Sequence, residues 1–162
     1  MSAMDAATQA WLDQEDRYTV ETIRKHGTYI QYVGGDGDLE CAPFAYTVGL
    51  YGIGHPELVI LGVRAETAAA VLNDLSGRIR EGSDLVPGEI LSFEAWQHRV
   101  RVEVVPNPGE IAFAANRFYE RPDAFSVPLL QLTYDDVNGH FPDEAGCSIP
   151  VWIQPRPGQW RA

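Results

Sequence analysis

Two strand-like segments joined through a glycine-rich bend set the first limit on how this chain can fold. Phe44-Ala-Tyr-Thr-Val-Gly-Leu50 leads through Tyr51-Gly-Ile-Gly-His-Pro56 into Glu57-Leu-Val-Ile-Leu61, with Gly49, Gly52 and Gly54 spaced along the link. Pro56 keeps His55 out of the right-handed helical region, and glycine takes the positive φ that other residues avoid. The run Leu58–Leu61 is apolar on both faces of a strand, which predicts a central strand covered on both sides. Tyr46, Thr47, His55 and Glu57 are held around this bend, so it looks like a built site and not a plain turn.

The rest of the chain alternates between helix and strand signals. Asp5 to His26 reads as a helix with an imperfect apolar stripe of Trp11, Leu12, Tyr18, Val20 and Ile23, and Gly27 stands at its C-cap position. Thr28 to Val33 alternates as a strand, and residues 34–38 have turn composition. Ala65 to Glu81 is the clearest helix, with Val71, Leu72, Leu75 and Ile79 on one side and Gly82 as its stop. His98 to Val105 sets Val100, Val102 and Val104 against Arg99, Arg101 and Glu103, the pattern of a half-exposed strand. Gly109 to Tyr119 predicts a short helix and Val127 to Tyr134 a strand. Asn138-Gly139 predicts a hairpin turn before His140-Phe141, and Val151 to Gln154 a last short strand.

These elements do not alternate regularly enough for a doubly wound sheet. The expected fold is α+β: a single globular domain over residues 1–154, with a mixed or mainly antiparallel sheet of about five to seven strands and two or three helices packed on it. Residues 155–162 are expected as a loose tail.

The 162 residues are enough to bury a substantial core without staples. Net charge is -11, from 23 acidic and 12 basic side chains. That sign opposes nucleic acid and anionic lipid and favours a basic protein or a small molecule as partner. Met1 to Asp16 carries four acids and no apolar core, so no signal peptide is expected. No apolar run approaches the ~20 residues that span a bilayer. Cys41 and Cys147 lie far apart without a Cys-x-x-Cys pair and are expected as reduced thiols of a cytoplasmic protein.

No complete catalytic or metal signature is present. His55-Pro56-Glu57 matches the His-x-Glu half of a zinc deaminase, but the Pro-Cys-x-x-Cys half is missing. His26, His55, His98, His140, Cys41 and Cys147 have no metal-ligand spacing. Asp135-Asp136-Val137-Asn138-Gly139 invites a calcium-loop reading, yet Tyr134 and Ala145 fall where oxygen ligands belong, which favours an acidic turn. Gly49-x-x-Gly52-x-Gly54 is not the dinucleotide fingerprint. No metal and no cofactor is therefore indicated by motif. A flavin- or haem-binding sheet protein stays open as a third function, because such folds often lack a short signature.

The chain resembles a bacterial family, the domain of unknown function 4262 family, common in actinobacteria. The resemblance spans roughly residues 23–142. It rests on His26-Gly27, Phe44-Ala-Tyr-Thr-Val-Gly-Leu50, Gly54-His-Pro-Glu-Leu58, Leu72-Asn73, Gly82, Pro87-Gly88, Gln131-Leu-Thr-Tyr-Asp135 and Gly139-His-Phe-Pro142. Thr28 and Asp143 depart from the aromatics expected at those positions. The resemblance implies a stand-alone cytoplasmic domain without an established reaction, and directs attention to Tyr46, Thr47, His55, Glu57, Asn73 and Asp135 as ligand-binding candidates. Asn73 is unfavourable in mid-helix, so it either caps a neighbouring loop or faces a pocket.

Two functions compete ahead of the third. One is an immunity- or adaptor-like domain that binds a ligand or partner through Tyr46–Glu57. The other is a small hydrolase or transferase with His55 as general base, Glu57 as orienting or acid group, and Tyr46 beside them.

Overall fold

Asp5 and Gly27 bracket the first helix. The Asp5 carboxylate accepts from the Thr8 N–H at 2.7 Å, and Gly27, at φ 83°, donates to the Ile23 carbonyl and ends α1 (Ala6–His26). The computed structural model describes residues 5–34 and 42–162, so the turn expected over 34–38 lies outside it except for Gly34, and Cys41 lies outside it as well. None of the α1 side chains is fully buried. The helix is held to the body by Tyr18 edge-on to Tyr29 and by Asp16 paired with Arg117 at 3.0 Å.

Six strands form one sheet: β1 (Tyr29–Val33), β2 (Phe44–Val48), β3 (Glu57–Leu61), β4 (Ile90–Leu91), β5 (Val100–Val104) and β6 (Leu129–Tyr134). Their order is β1-β2-β3-β6-β5-β4, and every pairing is antiparallel except β3 with β6. This is the expected α+β architecture with a mixed, mainly antiparallel sheet. The apolar β3 is central and buried at all five positions, because the run Leu58–Leu61 offers no face that water could solvate.

The two faces carry separate cores. On one, α2 (Ala65–Arg80) lays Val71, Leu72, Leu75 and Ile79 over Ala45, Leu58, Ile60, Val102 and Leu132. On the other, α3 (Phe113–Phe118) and the segments beside it bring Ile111, Ala112, Ala115 and Val127 onto Phe44, Tyr46, Val59 and Leu61. Each fully buried aliphatic side chain contributes about 2 kcal/mol, so both layers are needed to hold the sheet.

Three local expectations give way. The short helix read over Gly109–Tyr119 divides into a tight turn at Pro108–Glu110 and α3 proper. The Asn138-Gly139 turn forms, with Gly139 at φ 83°, but it leads into no strand, since Pro142 removes a ladder donor. Val151–Gln154 is a turn closed by Ile153 and Gln154 donating to the Pro150 carbonyl. The Gln154 side chain replaces the missing strand: its amide accepts from Tyr134 N–H at 2.9 Å and donates to Tyr134 C=O at 3.0 Å.

Residues 155–162, expected as a loose tail, are docked on the sheet. Buried Gln131 donates to the Pro155 carbonyl at 2.8 Å and accepts from the Trp160 indole at 3.0 Å. Arg156 makes a two-pronged pair with Glu103, both bonds 2.9 Å, and Trp160 lies 5.1 Å from the Phe44 ring. Trp160→Ala is therefore expected to cost about 2 kcal/mol in urea denaturation, a cavity and an orphaned Gln131 acceptor together. The exposed Trp152→Ala serves as the control and should stay within about 0.5 kcal/mol of the parent.

Candidate functional site

The bend after β2 is organised by one carboxylate. Gly49 leaves the strand at φ 135°, Tyr51–Ile53 forms a single tight turn, and Gly54 reverses it at φ 81°. Glu57, the first residue of β3, turns its side chain back into this loop. One carboxylate oxygen accepts from the Thr47 hydroxyl at 2.7 Å and the Leu50 N–H at 3.1 Å; the other accepts from Gly49 N–H at 3.0 Å and Tyr51 N–H at 3.1 Å. The Thr47 hydroxyl in turn accepts from Leu58 N–H at 2.9 Å, so its proton is committed to Glu57. Thr47 and Glu57 are both sealed from solvent.

Burial is the largest influence on the Glu57 carboxyl and pushes it above the ordinary carboxylate range, while its four hydrogen bonds pull it back. All four partners donate, so the arrangement is complementary to the ionised form.

His55 is fixed at both ring nitrogens. Leu85 N–H donates to Nε2 at 3.0 Å, which leaves Nδ1 as the protonated nitrogen, donating to the Pro56 carbonyl at 2.7 Å. With 4% of its surface exposed, the imidazole ties the loop at Leu85 to the start of β3.

Tyr46 points to the opposite face. Its hydroxyl accepts from Ala114 N–H at 2.8 Å in the first turn of α3, and its ring stacks on Phe44. Asn73 sits on the exposed outer side of α2. Asp135 lies at the far end of β6: Glu57 is level with Leu129, and six residues of strand separate the two ends by about 20 Å. There the Asp135 carboxylate accepts from the Arg99 main-chain N–H and side chain, each at 2.9 Å. Of the sequence candidates, then, only Thr47 and Glu57 bond to each other, and Tyr46, His55, Asn73 and Asp135 occupy separate environments.

Thr28 and Asp143 are also bonded. Thr28 accepts from Arg80 at 2.9 Å, beside the contact Arg80 makes with the Gly27 carbonyl, and Asp143 accepts from Arg101 at 2.6 Å.

Other organising residues lie outside the candidate set. Tyr119 accepts from Gly52 N–H at 3.1 Å and meets Tyr51 edge to face. Asp136, within the acidic turn, accepts from the N–H groups of Asn138, His140 and Ser148, and these bonds hold its carboxyl well below the usual range. Nδ1 of His140 faces it at 3.6 Å. Among the described residues no group of three or more His, Cys, Asp or Glu side chains could hold a metal ion.

Burial pushes the phenols of Tyr46 and Tyr119 up to about 12, with the charge of Glu57 a further cause at Tyr119. An unfolded tyrosine ionises near ~10. The stability these groups contribute is therefore complete below about pH 10 and is lost as pH rises through about 12. A titration following phenolate absorbance and circular dichroism together should show the late-ionising tyrosines released with loss of fold. Ionisation of every tyrosine near ~10, with the fold intact, would contradict the packing described.

Open hollows lie on the surface of the described residues. One, of about 960 Å³, runs beside α3 between the Pro108–Glu110 and Asp123–Phe125 turns. A second of about 760 Å³ flanks Arg156, and a third of about 270 Å³ lies between α2 and Phe93–Trp96.

A single mixed sheet with helices on both faces, and a polar bend folded inward, defines an α+β domain. The family model described as Domain of unknown function (DUF4262) matches residues 22–148, and the chain belongs to that family. No curated protein and no solved structure matches it. Among the described residues no helix is long and apolar enough to cross a membrane.

Proposed function

We propose that this domain binds a basic partner, in the manner of an immunity or adaptor protein, with Tyr46–Glu57 as the framework that holds the binding surface. Three outer segments hang from that region: α3 from the Tyr46 hydroxyl, the Leu50–Gly54 loop from Glu57, and the loop at Leu85 from His55. The observation that carries the proposal is the hollow beside α3, where exposed Phe113 and Phe125 stand with Glu110 and Asp123. Aromatic faces and carboxylates together suit the guanidinium or ammonium group of a partner side chain. The hollow also contains Arg161, which leaves its balance acidic by one charge.

An arginine-rich synthetic peptide tests this. It is expected to bind at low ionic strength and to weaken as salt rises. Replacing Glu110 by Gln together with Asp123 by Asn should weaken it at least tenfold. The pair Asp84→Asn with Glu94→Gln removes two exposed charges elsewhere and should not. Equal weakening by both pairs would reduce the effect to net charge and defeat the assignment. His55→Ala is expected to cost about 2 kcal/mol, by orphaning the Leu85 N–H, and to leave binding by the folded chain unchanged. Full stability joined to lost binding would instead favour His55 as a group that acts on a ligand.

A further inference from the structure

The hollow between α2 and Phe93–Trp96 is built differently from the one beside α3. It is a cleft of about 270 Å³, predominantly apolar, close to the lower end of the range of about 300–1,000 Å³ for small-molecule sites. One wall is the side of α2 that carries Glu66, Thr67, Ala70 and Asp74; the other is Phe93 and Trp96. The two rings meet edge to face at 5.8 Å. Trp96 is braced from behind by His98 and Tyr134, at 4.9 and 5.6 Å. Phe93 is braced by Arg78, whose guanidinium sits 5.1 Å above the ring and is tied to Asp74 at 2.7 Å and to the Ser92 carbonyl at 2.9 Å. The walls are thus held by contacts already made. The space between them exists because Ala70 and Ala95 are small.

The charge of the cleft has one sign. Its ionisable lining groups are Glu66 and Asp74, and no basic side chain lines it. Arg78 neutralises Asp74 from outside. Arg64 approaches Glu66 at 3.7 Å, but both side chains are largely exposed, so water screens that pair. The net charge of -11 adds an attractive field for cations. Phe93 already accepts a guanidinium, and the aromatic rings of the lining offer the same kind of electrostatics to a second cation.

We infer that this cleft is a binding site for a small organic ammonium ion, whose apolar body lies between Phe93, Trp96 and Ala70 and whose charged end faces Glu66. The ion could be a free arylalkylamine or the tip of a lysine side chain from another chain, since both present the same chemistry. The site is separate from the hollow beside α3, and its failure would leave the basic-partner proposal untouched.

Phenethylammonium is the first probe, titrated into the whole protein by calorimetry and by indole fluorescence. Saturable binding at millimolar concentration or tighter is expected, with 2-phenylethanol, the neutral analogue, at least tenfold weaker. Ala70→Leu, at an exposed position of α2, should keep the fold and abolish binding by filling the cleft. Glu66→Gln should weaken binding severalfold. An acetyl-lysine amide titrated in parallel separates the sources: tighter binding than phenethylammonium points to a protein lysine, weaker binding to a free amine, and either supports the site. No saturation by either amine, equal binding of the alcohol, or undiminished binding by Ala70→Leu would overturn it.

Discussion

Glu57→Ala is expected to lower stability by about 4 kcal/mol, close to the whole margin of a weakly stable domain. The carboxylate is the common acceptor for Thr47 and for the main chain at Gly49, Leu50 and Tyr51. Its removal strands three main-chain N–H groups in a region that excludes water, and each buried donor without a partner costs roughly 1–3 kcal/mol before relaxation. Collapse of the loop recovers some of that. Glu57→Gln isolates the electrostatic part, since its shape is conserved while one acceptor becomes a donor that faces other donors. We expect it to cost about 2–3 kcal/mol. Urea denaturation with matched slopes measures both variants. Either one melting with the parent chain would mean that the carboxylate does not hold the bend, and a role toward a ligand would then be the better account of its presence.

Gly49→Ala is expected to cost about 3 kcal/mol, for a different reason. The residue sits at φ 135°, outside the range of an alanine, and a Cβ there would stand 2.8 Å from the Gly27 carbonyl oxygen and 3.3 Å from the Thr28 Cα. Both obstacles are main chain and cannot swing aside. One of them belongs to the glycine that caps α1, so the strain spreads from the bend to the end of that helix. Gly54→Ala separates the two contributions. It also has positive φ, 81°, but nothing lies within 4 Å of its Cβ position, so only the backbone cost of about 1 kcal/mol should appear. Equal losses at the two positions would rule out crowding as the cause.

Apolar patterning carried most of the fold. Leu58–Leu61, short and set off by Gly54 and Pro56, reads as a covered strand, and Val71, Leu72, Leu75 and Ile79 read as one side of a helix. Gly27 was legible too, since a left-handed cap selects glycine. What was not legible depends on side chains that stand in for main chain. Gln154 pairs with Tyr134 as a strand would, and nothing in the surrounding Pro150 to Pro155 announces it. β4 has two residues, too few for any period.

The candidate residues show a similar division. Thr47 and Glu57 belong together, as their clustering suggested. A buried carboxylate held by N–H groups has the same local sequence as one facing water, though, and His55 gave no hint of a partner as distant as Leu85. Trp96 and Phe93 went unnoticed because aromatic residues in a loop carry no period. Tyr119 reaches the bend only through tertiary packing.

The parallel contact between β3 and β6 joins strands whose nearest ends, Leu61 and Leu129, lie far apart along the chain. At synthesis rates of about 5–20 residues per second, a growing polypeptide carries β3 for roughly 3–14 s before its neighbour is made. During that interval an uncharged Leu-Val-Ile-Leu edge, later the most protected part of the molecule, stands open to mispairing with other nascent chains. A window for such mispairing during translation follows from the order of strands in this sheet.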